Sequence, residues 1–144
     1  MSIRTVFAAL ALTALFALVS PLDAQAAGTG RIFVSNERGG GLTVLSATTY
    51  AVVGEVKTGL RPRGMVFSPD HKLLYVACGG SNAIDVVDVS RMKVIDRIRN
   101  IPDPETFDLD RQGRRLFISN EDSAELSIFD LATKKLRQSV PVGL

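Results

Sequence analysis

Apolar residues run through the chain in short bursts rich in Val, Ile, Leu and Phe, and each burst is closed by Gly, Pro, Asp, Asn or Ser. Bursts of about four to seven residues bounded by turn formers predict β-strands, and helical spacing is nowhere sustained. The clearest stretch holds four of them: Gly64 to Phe67, Leu73 to Ala77, Ile84 to Val87 and Lys93 to Ile98. Between them lie Ser68-Pro69-Asp70-His71 and Gly79-Gly80-Ser81-Asn82. Apolar side chains stand on successive positions, as in Leu73-Leu74-Tyr75-Val76-Ala77, which suits strands covered on both faces better than strands with one wet face.

The pattern repeats. Phe33-Val34-Ser35-Asn36, Tyr75-Val76-Ala77-Cys78 and Phe117-Ile118-Ser119-Asn120 follow one another at an interval of 42 residues (75 − 33 and 117 − 75). The same interval relates Leu42-Thr43-Val44-Leu45 to Ile84-Asp85-Val86-Val87 and Leu126-Ser127-Ile128-Phe129, and Val56 to Ile98 and Val140. Four strands in about 42 residues cannot bury two apolar faces alone, whereas stacking such units around an axis covers both. The expected fold is therefore all-β, with β-propeller blades built as four-stranded antiparallel meanders. The repeats are expected at about residues 31–72, 73–114 and 115–144, the last incomplete. Ser68-Pro69-Asp70 is a turn with a mechanism, since Pro presets φ and the Asp carboxylate accepts from nearby N–H groups. Asp88 and Asp130 open the next hairpin in the same way, and Ser46 stands at that position in the first repeat.

The first residues break the pattern. From Val6 to Val19 the chain is apolar apart from Thr13, with Arg4 before it and Pro21 after it. That run is shorter than the ~20 residues a membrane-spanning helix needs. With the Ala24-Gln25-Ala26 site it predicts a secretory signal peptide over residues 1–26. Residues 27–144 are then a periplasmic or secreted partial propeller with no membrane span left after cleavage. No Cys follows the apolar run to suggest a lipid anchor.

Composition narrows the chemistry. A chain of 144 residues has room for one small domain, and its net charge of +2 carries no basic excess of the kind that marks a nucleic-acid partner. One Cys, one His and no Trp leave no disulfide framework and no His/Cys zinc cluster. Cys78 reads as a small buried hydrophobe. His71 lies in a turn without a carboxylate or nucleophile at a motif distance, so it reads as a surface histidine. Gly39-Gly40-Gly41 precedes no helix that could complete a phosphate site. No catalytic residue, metal site or cofactor is expected from the sequence.

The strings RIFVSNERGGGLTVLSATTYAVVGEVKTGLRPRGMVFSPDHK and KLLYVACGGSNAIDVVDVSRMKVIDRI resemble YVTN-type β-propeller repeats, with their Tyr-Val-Thr/Ala-Asn strand, Val-Ile-Asp hairpin and Ser-Pro-Asp-Gly turn. The resemblance covers the whole of residues 27–144. The Arg61-Pro62-Arg63-Gly64 and Asp103-Pro104-Glu105 loops and the Ser119-Asn120-Glu121-Asp122 strand end are similar to the propellers associated with pyrroloquinoline-quinone-dependent alcohol catabolism. That likeness implies seven blades, of which this chain holds about three. It also implies a non-catalytic periplasmic accessory serving quinoprotein alcohol oxidation and its ABC-type transport system. The expected partner is a periplasmic protein or small ligand, with the quinoprotein dehydrogenase and the transport components as candidates. A secreted YVTN-type interaction scaffold is the alternative, and a piece of a propeller hydrolase or lactonase is a third reading. Chain departures are His71 where the turn carries Gly and Cys78 where the strand ends in Asn.

One set of residues is a candidate site. Arg61 and Arg63 occupy the repeat positions of Asp103 and Glu105 (103 − 61 and 105 − 63 are both 42), in loops leading to the innermost strand. Opposite charges on one rim can form blade-to-blade salt bridges, the preferred reading, or a funnel in which the arginines grip a carboxylate-bearing ligand. Glu37, Glu121 and Asp122 cluster at the ends of the second strands, where carboxylates can hold a hard cation, although a solvated loop explains them more simply. A three-blade arc exposes both flanks, so residues 27–144 are expected to aggregate or to pair into a closed ring rather than persist as a stable monomer.

Overall fold

The computed structural model describes residues 28–143; the expected signal peptide over residues 1–26 lies outside the described residues. Eleven strands follow in order: β1 (Arg31–Asn36), β2 (Gly41–Ser46), β3 (Val52–Val56), β4 (Pro62–Phe67), β5 (Leu73–Cys78), β6 (Ala83–Asp88), β7 (Lys93–Arg99), β8 (Pro104–Leu109), β9 (Arg115–Asn120), β10 (Glu125–Asp130) and β11 (Lys135–Pro141). They form three antiparallel meanders, β1-β2-β3, β4-β5-β6-β7 and β8-β9-β10-β11. The described residues are thus three consecutive blades of a partial β-propeller. No helix among them is long and apolar enough to cross a membrane.

The sheets are phased differently from the repeats. Among the described residues the last sheet has four strands and the first has three. Each repeat that starts at a motif such as Phe33-Val34-Ser35-Asn36 begins at the second strand of a blade. Hydrogen bonding assigns β4 to the sheet that follows it, because Val66 pairs with Tyr75 and Phe67 with Leu74.

Local chemistry repeats with the period. Asp88 Oδ1 accepts from the Arg91 N–H (2.9 Å) and the Ser90 hydroxyl (2.7 Å), and Asp130 Oδ1 accepts from the Thr133 N–H (2.8 Å). Ser46 does the same work in the first blade, its Oγ accepting from Thr48 and Thr49 N–H at 3.3 and 3.2 Å. Each of these hairpins carries a left-handed residue at one repeat position, Tyr50, Met92 or Lys134. Each third strand then shifts register against its neighbour at Val44/Leu45, Val86/Val87 or Ile128/Phe129, the bulge that deepens local twist. His71 holds φ +56° where Gly113, its repeat equivalent, holds +66°. A left-handed conformation costs a side-chain-bearing residue roughly 1–2 kcal/mol. His71→Gly is accordingly expected to raise the thermal midpoint by a few degrees; an unchanged or lower midpoint would show that the His71 ring, 5.6 Å from that of Phe67, more than offsets the strain.

Two cores fill the seams between blades. Leu42, Val44 and Val56 of the first sheet meet Leu74, Val76 and Val87 of the second, while Phe33 and Phe67 pack edge to face at 5.9 Å. Tyr75, Ile84, Val86 and Ile98 on the other face of the second sheet meet Leu116, Ile118 and Phe129 of the third. The middle sheet is covered on both faces, which explains its unbroken apolar runs. Its one charged core residue, Asp85, is fully buried; its carboxylate receives Arg97 Nε and Nη2 at 2.5 and 2.9 Å and the Gly59 N–H at 2.7 Å. The pair therefore clamps the connector between the first two blades onto the third strand of the second.

Cys78 is buried beside this clamp. Burial, and then the Asp85 charge, push its thiol up to about 11, so it is protonated at neutral pH and a poor nucleophile. A thiol reagent is expected to leave the native chain unmodified and to label one sulfur after denaturation; rapid labelling of the native chain would place Cys78 at the surface.

Candidate functional site

The four candidate residues converge at one end of the inner strands. Arg63 lies on β4, Glu105 lies on β8, and these strands adjoin across the seam between the second and third blades. The approach is close at Gly64, where a Cβ would stand 2.8 Å from the Glu105 carbonyl oxygen and 2.9 Å from Thr106 Cα. A larger residue there would push the inner strands apart. Arg61 and Asp103, just ahead of the two strands, both hold left-handed backbone, at φ +53° and +30°. The turn that aims these side chains at the rim is thus the same in both blades although their charges are opposite.

Arg61 Nη1 reaches Asp103 Oδ1 at 3.6 Å, and Arg63 Nη1 reaches Glu105 Oε1 at 3.7 Å. These long contacts are the pairs that the repeat arithmetic singles out. The shorter ones join residues from different strand ends: Arg63 Nη1 lies 2.5 Å from Glu121 Oε2, and Arg63 Nε donates to Glu37 Oε1 at 3.1 Å. Glu37 also receives Arg61 at 3.5 Å. Arg63, largely buried, therefore ties together carboxylates from the first and third blades. Its hydrogen bond to Glu121 chiefly raises its own proton affinity, and its hydrogen bond to Glu37 holds that carboxyl below the usual range.

From sequence, Glu37 and Glu121 with Asp122 fit a solvated loop better than a cation cluster. The structure turns both toward Arg63, and among the described residues no group of three or more His, Cys, Asp or Glu is arranged to hold a metal ion. The sequence signal for this arrangement was present: residues 37 and 121 share one repeat position, so two identical carboxylates flank the Arg63 blade from either side. An arginine is long enough to reach both neighbours, whereas matching loop to loop considers only one.

Two arginines meet four carboxylates in this cluster, leaving an excess of two negative charges. The Asp103 Oδ1 and Asn120 Oδ1 acceptors are buried and lack a hydrogen-bond donor among the described residues, although Asn120 Nδ2 donates to the Pro102 carbonyl at 2.5 Å. A depression of about 450 Å³ opens above the inner strands, lined by Ser35, Glu37, Arg63, Glu105 and Thr106. A carboxylate entering it would compete with Glu37 and Glu121 for the same guanidinium. The surplus acceptors instead suit a cationic or donor-rich group. Arg63→Ala is expected to cost about 1 kcal/mol at low salt and less at high salt. Because the Glu37 carboxyl is held low, its contribution is present above the ordinary carboxylate range and fades as pH falls through the lowered one. The difference between Arg63→Ala and the parent chain should therefore shrink in acid; an undiminished difference would mean that Arg63 acts through packing.

His71 lies at the opposite end of its blade, in the turn between β4 and β5, and Gly39 and Gly40 form a turn closed by their N–H groups on the Asn36 carbonyl.

No family model and no curated protein matches the chain. Solved structures do. Kuenenia stuttgartiensis hydrazine synthase superposes with a TM-score of 0.69 at 25% identity, over 76% of this chain and 32% of that one. Dihydro-heme d1 dehydrogenase NirN, solved in complex with DHE, gives 0.64 at 20% identity, over 81% and 25%. A functionally unknown protein from Desulfotomaculum acetoxidans DSM 771 gives 0.63 at 18% identity, over 78% and 38%. This chain spans well under half the length of each. The likeness establishes the fold, and the three blades described above are those of a β-propeller.

Proposed function

We propose that this protein is a periplasmic, non-catalytic β-propeller accessory of the YVTN type that serves pyrroloquinoline-quinone-dependent alcohol catabolism, and that its inner-strand rim is the docking surface. The observation that carries the reading is the rim cluster itself. Arg63 of the second blade gathers Glu37 of the first and Glu105 and Glu121 of the third around one depression, and this ionic cluster is built largely from the same loops that resemble the quinone-associated propellers. Propellers present such rims to ligands and partners, while the fold alone leaves the activity open. The acidic surplus favours a partner with a basic face, which draws opposite charge to the rim during encounter.

The test is cross-linking in the periplasm of cells expressing the full chain and growing on an alcohol. A photo-crosslinker replacing Thr106, on the rim, is expected to capture the quinoprotein dehydrogenase or a transport component, and Glu37→Lys combined with Glu121→Lys should abolish capture. Capture of unrelated periplasmic proteins on every carbon source would replace this reading with that of a generic interaction scaffold, and capture of nothing would remove the rim as a docking surface.

A further inference from the structure

Resting on the reading of the rim as a docking surface, we propose that the Asp103 carboxylate is its anchor, taking the ammonium group of a lysine from the basic partner, and that the Arg61 guanidinium is a latch which this lysine displaces. The rim cluster divides into a tight half and a loose half. Arg63 is 15% exposed in its side chain and is hydrogen-bonded to Glu121 at 2.5 Å and to Glu37 at 3.1 Å. Arg61 is 46% exposed, and its contacts with Glu37 and Asp103 are 3.5 and 3.6 Å long, beyond ordinary hydrogen-bond length. Its guanidinium is attracted to the cluster without being fixed in it.

Asp103 is fixed where Arg61 is not. Its N–H donates to Asn82 Oδ1 at 2.9 Å, and its carbonyl accepts from the Glu121 N–H at 3.3 Å. The side chain is 10% exposed, and its Oδ1 has no hydrogen-bond donor among the described residues. A carboxylate oxygen withdrawn from water without a donor is destabilised until one arrives. The turn Gly79–Ser81 makes this arrangement. Gly79 stands at the repeat position of Glu37 and Glu121, and a Cβ there would overlap Asp103 Oδ1. A Cβ on Gly80 would meet Arg61 Cγ and Cδ at 3.3 Å, so the arginine lies along the same turn with its tip beside the buried oxygen. The second blade thus lacks the carboxylate its neighbours carry and receives one from the third. The oxygen lies in the seam between these two blades, both of them described.

The latch has a place to go. Arg61 borders a hollow of about 580 Å³ that it shares with Glu37, Gly39, Gly40, Leu60 and Gly80. The glycines leave its walls free of side chains, and Glu37 keeps a carboxylate within reach of the displaced guanidinium. The backbone stays in place, because the Leu60 N–H donates to Ser81 Oγ at 2.8 Å and the Arg61 carbonyl accepts from the Gly79 N–H at 3.1 Å. A lysine suits the narrow space beside Gly79 better than an arginine does, since an ammonium is a compact charge with three donors and a guanidinium is a planar fork. One cation leaves Asp103 as another arrives, so the charge of the cluster is kept. The entering group gains a hydrogen bond that Arg61 does not make.

Fluorescence anisotropy of a labelled tetralysine peptide with the purified full chain, at physiological salt, tests the exchange. The parent is expected to bind, Asp103→Asn to bind at least about tenfold more weakly, and Arg61→Ala to bind about tenfold more tightly, because the anchor is no longer partly covered. In the Asp103→Asn background the same Arg61→Ala change should alter affinity by about twofold or less, whereas a general gain of negative charge would act in both backgrounds. Unchanged or weaker binding by Arg61→Ala, equal binding by Asp103→Asn and the parent, or the same gain in both backgrounds overturns the exchange, as does a parent that does not bind the peptide. Should Asp103→Asn fail to fold, Arg61→Ala, which removes a half-exposed side chain, decides by the sign of its effect. Partner capture is read separately. Additive variants with capture intact would leave the rim as a docking surface and overturn only its anchor, whereas a coupled pair of variants without capture would support the Asp103 site and remove the proposed partner.

Discussion

Arg97→Met is expected to cost about 3–5 kcal/mol of folding stability. The reason lies in Asp85. Its carboxylate is fully buried, and apart from the Gly59 N–H the partners bonded to it belong to Arg97. Arg97 itself is 30% exposed in its side chain, so water helps to hydrate the cation while the anion stays entirely inside. Deleting the cation strands a charge in the seam, whereas deleting the anion leaves a guanidinium that can turn to solvent. The asymmetry makes a second prediction in one cycle. Asp85→Asn retains an oxygen for the Gly59 N–H and loses the charge, so Arg97→Met combined with Asp85→Asn should be more stable than Arg97→Met alone. Chemical denaturation of the four chains checks it, and a double variant less stable than both singles would show that the guanidinium serves chiefly as packing.

Ile118→Ala is expected to lose about 2–5 kcal/mol, while Val34→Ala at the equivalent repeat position loses well under 1 kcal/mol. Both residues sit on the second strand of a blade and both project backward. Ile118 is 0% exposed because the second blade covers it, and Val34 is 41% exposed because none of the described sheets covers the first. The side chain and its local conformation are nearly the same, so the difference in cost isolates burial between sheets. Chemical denaturation of the three chains is the measurement. Equal losses at the two sites would mean that the face of the first blade is covered after all.

Much of this architecture is legible in residues close to one another in the chain. Strand positions follow from apolar bursts, as with Leu73 to Ala77. Hairpins follow from a side chain able to accept two local N–H groups, which is why Ser46 stands in for Asp88 and Asp130 without loss of the turn. The convergence of Arg61, Arg63, Asp103 and Glu105 on one rim was legible as well, since a repeat of 42 residues places equivalent loops side by side. The identity of the shortest ion pairs was not. Glu121 is 58 residues from Arg63 in sequence, and its choice depends on how far a guanidinium reaches across the spacing of two sheets.

The all-β class, the four-stranded unit, the repeat and the turns are written in the sequence, because each depends on pairing and hydrogen bonding within one meander. The number of strands each described sheet holds, the burial of Asp85 against Arg97 and the inward turn of Glu37 and Glu121 to Arg63 are read from the folded chain alone. Those features depend on the stacking of one sheet against the next. Periodicity makes successive blades look alike, but burial and charge pairing are set by the neighbour each blade meets, which a repeating pattern specifies only as a position and not as a contact.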